Sequence, residues 1–112
     1  MNLTELSARL GLETVAGSTE GREWRGVYAG DLLSRAMSHV KADNLWITIM
    51  SNTNVVAVAS LTEAAAVILA EGVELLPDAL DAAEENGIIV LSSKHTVFEL
   101  CAAIYEASRG RA

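Results

Sequence analysis

The sequence predicts an α/β fold of three layers, with a mostly parallel sheet of about 4–5 strands and helices on both faces. Three observations lead there. Short apolar runs such as Trp46–Met50 and Ile88–Leu91 alternate with longer segments of helical periodicity. Each of these runs ends in a small polar cluster, Ser51-Asn52-Thr53-Asn54 in one case and Ser92-Ser93-Lys94-His95-Thr96 in the other. Aromatic residues make up only 4% of a chain that is 51% hydrophobic, so the core is built from small aliphatics that let helices lie close to a sheet.

The 112 residues fit one domain, 1–112, and suffice for a core without disulfides or metal. Thr4 is placed to cap a first helix over 4–10 with Leu6 and Leu10 on its apolar side, and Gly11 offers the left-handed stop. Residues 12–16 read as a strand, 17–21 as a turn with a glycine at each end, and 23–29 as the next strand. Asp31 is placed to cap a helix carrying Leu32, Leu33, Ala36, Met37 and Val40, and Asp43-Asn44 turns the chain into a strand over 45–50.

Residues 54–63 are ambiguous by propensity, because Val55, Val56 and Val58 are β-branched while Asn52, Thr53 and Asn54 are helix-capping types. Topology favours a helix: parallel neighbours at 45–50 and 66–70 need a crossover of about a dozen residues or more, and 51–65 has that length. Pro77 and Asp78 then start a helix carrying Leu80, Ala83 and Glu84 that stops near Gly87. After the strand at 88–91, Thr96 and Glu99 match a capping box for a last helix with the stripe Val97, Leu100, Cys101, Ile104 and Tyr105. Four strand-helix units thus follow one another.

Composition excludes several functions. With 8 basic and 15 acidic residues the formal charge is −7, which repels phosphate backbones and argues against nucleic acid. The amino terminus lacks the pattern of a signal peptide, and the run 64–70 is too short to span roughly 30 Å of hydrocarbon, so no membrane role is expected. A single cysteine, Cys101, and no paired Cys or His spacing imply neither disulfide nor metal site, and a reducing cytoplasm as location. Only two lysines occur, Lys41 and Lys94, and neither follows a glycine, so the phosphate loop of many kinases is missing. The spacing of Gly26 and Gly30 lacks the third glycine of a dinucleotide fingerprint, and no cofactor is expected.

In an open parallel sheet, ligands gather outside the carboxyl ends of the strands. That edge would hold Asp31, Ser51, Asn52, Thr53, Asn54, Ser92, Ser93, Lys94, His95 and Thr96 as ligand-binding candidates, although the same residue types also serve as ordinary caps. Lys94 and His95 at a helix start oppose the macrodipole, which an anionic ligand or a nearby carboxylate would offset. No nucleophile-base pair can be nominated: His39 suits a helix end, Cys101 an apolar stripe, and the adjacent Glu84 and Glu85 a solvated face. Trp24 suits either an interface or the core.

From Trp46 to Ile104 the pattern resembles a DRTGG domain, through Asn52-Thr53-Asn54 after one strand, Val67–Gly72 at the next, and Gly87–Leu91 followed by Thr96. The segments Leu3–Leu6 and Leu12–Gly17 are similar to the opening of the non-catalytic amino-terminal domain of HPr kinase/phosphorylase. The resemblance implies a stand-alone, non-enzymatic regulatory domain that forms a homodimer and acts on a partner enzyme or regulatory protein. The family's Asp-Arg-Thr-Gly-Gly signature is absent as such: the corresponding loop, 51–54, lacks the arginine and any anion contact it makes. Two other functions compete with this one, a sensor of an anionic metabolite or nucleotide at the sheet edge, and an enzyme of unrecognised kind.

Overall fold

A computed structural model describes residues 1–109. The last three positions of the predicted domain lie outside the described residues. In chain order the elements are α1 (Leu3–Leu10), β1 (Glu13–Ala16), β2 (Val27–Ala29), α2 (Leu33–His39), β3 (Leu45–Thr48), α3 (Thr53–Thr62), β4 (Ala66–Leu69), α4 (Pro77–Asn86), β5 (Val90–Ser92) and α5 (Val97–Arg109). The predicted α/β architecture is present. Five strands form one sheet in the order β1-β5-β4-β3-β2, with β2 to β5 parallel and β1 antiparallel to β5.

Because both faces of the central strands are covered, β3 and β4 are buried at every position and read as continuous apolar runs. Their residues split by parity. Leu45, Ile47, Ala66, Ile68 and Leu91 point to a core shared with Leu3 and Leu6 of α1 and Leu100 and Ile104 of α5. Trp46, Val67, Leu69 and Val90 point the other way, against Ala36 of α2, Val55 and Val56 of α3, and Ala79 and Ala83 of α4. Helix α3 lies between α2 and α4, so its valines meet the sheet and both neighbours. Burial on several sides explains why a helix here is rich in residues that locally favour a strand.

Several local expectations need correction. Asn2, not Thr4, caps α1: its Oδ1 accepts from Glu5 N at 2.9 Å, and the Glu5 carboxylate accepts from Asn2 N at 3.3 Å, a complete capping box. The strand predicted over 23–29 shrinks to three residues, because Gly26 has φ +77 and a Cβ there would meet Asn44 Nδ2 at 2.7 Å. Glu23 instead makes an isolated bridge to Asn2. Asp31 does not cap α2, whose first residue follows Leu32 without any side-chain cap. Tyr105 leaves the apolar stripe of α5 and is 61% exposed, since this part of the helix runs along the flank of the sheet beside β2.

Candidate functional site

The ten residues expected at the carboxyl edge do reach that edge, and most are held there by local bonds. Asp31 ties two strand ends together: its Oδ1 accepts from the hydroxyl of Thr48 at 2.7 Å and from Ile49 N at 3.0 Å. Asn52 caps α3 by accepting from Asn54 N, and Ser51 O accepts from Leu76 N. Ser93 Oγ accepts from His95 N at 3.0 Å. Thr96 and Glu99 exchange the two bonds of a capping box. The Thr96 backbone N–H, helped by its hydroxyl and by His95, holds the Glu99 carboxyl below the usual carboxylate range. His95 Nδ1 lies 3.5 Å from Glu99 Oε1, so this ring at the helix start already has a carboxylate beside it.

The strand order divides these residues into two groups. β5 and β2 are separated by three strand spacings, about 14 Å, which sets Ser92–Thr96 at one flank and Asp31 at the other. Successive helices also leave the sheet on opposite faces after β4 and β5, since α4 packs on one face and α5 on the other. Such a reversal is where open α/β sheets form a ligand crevice. Here the two loops are laced together instead, by Glu71 N to His95 O at 2.8 Å and Gly72 N to Ser93 O at 2.9 Å. A cleft of about 920 Å³ lies beside the lacing, between Ser92–His95, the loop Gly72–Leu75, Leu80 and the start of β1. Its charged groups are Glu13, Glu74 and Lys94, of both signs, with the His95 ring beside them. Residues 51–54 and Asp31 are not in its wall.

A second concavity, of about 450 Å³, runs along the opposite flank between β2 and α5. Its walls are mostly apolar, with Trp24, Val27 and Ala29 on one side and Cys101, Ile104 and Tyr105 on the other. Trp24 is half-buried, and its Nε1 is enclosed with no acceptor among the described residues. Burial pushes the Cys101 thiol up, away from the thiolate form that nucleophilic chemistry requires. His39 stacks on Tyr28 with ring centroids 5.8 Å apart, and its Nδ1 lies 2.9 Å from Arg35 O.

A model of the DRTGG domain family matches residues 5–107. The chain belongs to the DRTGG domain family. No curated protein is recognisably similar to it in sequence. Among solved structures, it is similar to the CBS and DRTGG domains of the regulatory region of Clostridium perfringens pyrophosphatase, complexed with the activator diadenosine tetraphosphate. The TM-score is 0.77 at 16% identity over 92% of this chain, a likeness of fold. The match spans 45% of that chain, so this DRTGG domain corresponds to less than half of the regulatory region it resembles.

Some site features escape inspection of the sequence. Glu13 joins Ser92–His95 only because β1 returns antiparallel beside β5, and the loop Gly72–Leu75 only because β4 runs parallel on the other side of β5. Trp24 meets α5 only because α5 lies across the face of β2 and β3. Among the described residues, no group of three His, Cys, Asp or Glu side chains is placed to hold a metal ion, and no helix is long and apolar enough to cross a membrane.

Proposed function

We propose that this DRTGG domain is a non-enzymatic regulatory module that self-associates as a homodimer and through that contact modulates a partner protein. The apolar flank between β2 and α5 carries the reading: Val27 and Tyr105 are 39% and 61% exposed there, beside an indole N–H that has no acceptor among the described residues. Exposed apolar surface of this kind marks contact sites, and a buried donor without a partner is satisfied when a second surface supplies one. The family and the regulatory region that shares its fold support the regulatory part of this reading. A lone Cys with a raised pKa offers no nucleophile, which weighs against the enzymatic alternative. The cytoplasm, which keeps such a thiol reduced, is the compartment this reading favours.

Light scattering over a concentration series tests the association. The expected result is a rise from monomer to dimer mass by high micromolar concentration; a strict monomer throughout refutes the homodimer. Recovery of one stoichiometric partner with the tagged domain from its host tests the modulation.

The cleft at the other flank favours a second reading, a sensor for an anionic metabolite or nucleotide. Lys94 lines it and makes no ion pair among the described residues. The structural relative is complexed with a nucleotide activator. In this reading Ser92, Ser93, Lys94 and His95 contact the ligand, while Asp31, Ser51, Asn52, Thr53, Asn54 and Thr96 shape the remaining edge. A nucleotide panel with no thermal shift on the parent protein, or a shift undiminished by Lys94→Ala, refutes it.

A further inference from the structure

We propose that the self-association rests on β2, which pairs antiparallel with β2 of a second copy about a twofold axis at Tyr28 and joins two sheets into one. The proposal depends on the homodimer reading above and specifies its contact. In the parallel ladder between β2 and β3, Leu45 N donates to Gly26 O at 3.0 Å and Gly30 N donates to Ile47 O at 3.1 Å. Bonds to β3 therefore fall on residues 26, 28 and 30, and the N–H and C=O groups of Val27 and Ala29 point out from the sheet. Both residues are exposed. Natural edges are blunted by lysine, proline or a bulge, and β1 at the far edge does carry a bulge between Thr14 and Ala16. Val27-Tyr28-Ala29 has none of these devices.

The geometry selects both the partner and the register. When Val27 of one copy faces Ala29 of the other, both pairs exchange N–H···O bonds and all the outward groups of the two strands are used; a shift in either direction strands some of them. A closed twofold contact of this type is self-complementary. Just outside the paired segment, Arg25, 82% exposed and 3.8 Å from Asp43 of its own chain, lies toward the same end of the contact as Asp31 of the second copy, and the reverse. Side chains of Val27 and Ala29 lie on the α5 face, so the two apolar flanks meet on that side.

Tyr28 faces itself across the axis in a pair without hydrogen bonds, where Cβ atoms approach within about 5 Å, close enough for a disulfide after modest adjustment. The test is oxidation of Tyr28→Cys in a Cys101→Ala background, together with light scattering of Ala29→Pro. Proline at 29 removes an outward N–H that bonds nothing within the monomer, and edge strands tolerate it. Expected are a covalent dimer and, in Ala29→Pro with parent-like circular dichroism, association weakened roughly tenfold or more because two cross-strand bonds are lost. If the parent dimerises but Ala29→Pro dimerises equally well and Tyr28→Cys does not cross-link, the strand contact is wrong while the homodimer stands. A parent that is monomeric at every concentration overturns both.

Discussion

Asp31→Ala should destabilise the domain by about 2 kcal/mol, although the residue lies at the surface. Thr48 is 0% exposed, and its hydroxyl donates to Asp31 Oδ1 at 2.7 Å while accepting from Met50 N at 3.2 Å. Ile49 N donates to the same carboxylate oxygen at 3.0 Å. Hydrogen bonds to a charged acceptor contribute about 1.5–3 kcal/mol each. The exposed rim lets water replace the carboxylate at Ile49 N, so only the Thr48 hydroxyl loses its acceptor in full, which leaves about 2 kcal/mol. For a domain of this size that corresponds to a fall in Tm of roughly 8 °C. Urea unfolding followed by tryptophan fluorescence measures it, with an unchanged m-value if the clamp is the cause. Asp31→Asn keeps an acceptor and should lose only about 1 kcal/mol. In a Thr48→Val background, Asp31→Ala should cost much less than in the parent, because the two side chains act as a pair. A loss below about 0.5 kcal/mol in the parent would refute the clamp.

Three further outcomes can be checked on the same protein. Gly17→Ala should destabilise by about 2 kcal/mol or more in urea unfolding, because φ is +76 and the added Cβ would lie 3.1 Å from the Ile89 backbone, which cannot move aside like a side chain. Asn2→Ala should cost about 1 kcal/mol by the same assay, through loss of the α1 cap, whereas Thr4→Ala should be nearly neutral. The depressed Glu99 carboxyl makes stability depend on pH: its contribution is complete above the ordinary carboxylate value and is lost as pH falls through the lower folded value. The protection of amides at the start of α5, relative to their intrinsic exchange rates, should therefore fall in acid below about pH 4.5, and not in Glu99→Gln.

Element order was legible wherever a residue's neighbours in the chain decide its conformation. The Thr96–Glu99 capping box, Pro77 at a first turn and Gly87 at a helix end each act within a few residues, and each stands where the pattern put it. The assignment of α3 came from crossover length, a property of chain topology that local propensity obscured. The role of Asp31 was illegible, because its bonds go to Thr48 and Ile49, 17 and 18 residues away, and exist only once β2 lies beside β3. The breadth of the carboxyl edge misled in the same way. Ten polar residues looked like one site, yet the order β5-β4-β3-β2 spreads them over three strand spacings. The open main chain of Val27 and Ala29 carries no sequence signal beyond the lack of a lysine, proline or bulge in this three-residue edge.

Amide hydrogen exchange at Val27 and Ala29, measured at low and at high protein concentration, tests the claim of regulated self-association most directly. These two amides bond to nothing in the monomer and should exchange freely when dilute, then become protected as the dimer forms, while Tyr28, bonded to β3, is protected in both. Protection of Val27 and Ala29 that is the same at both concentrations would contradict the account.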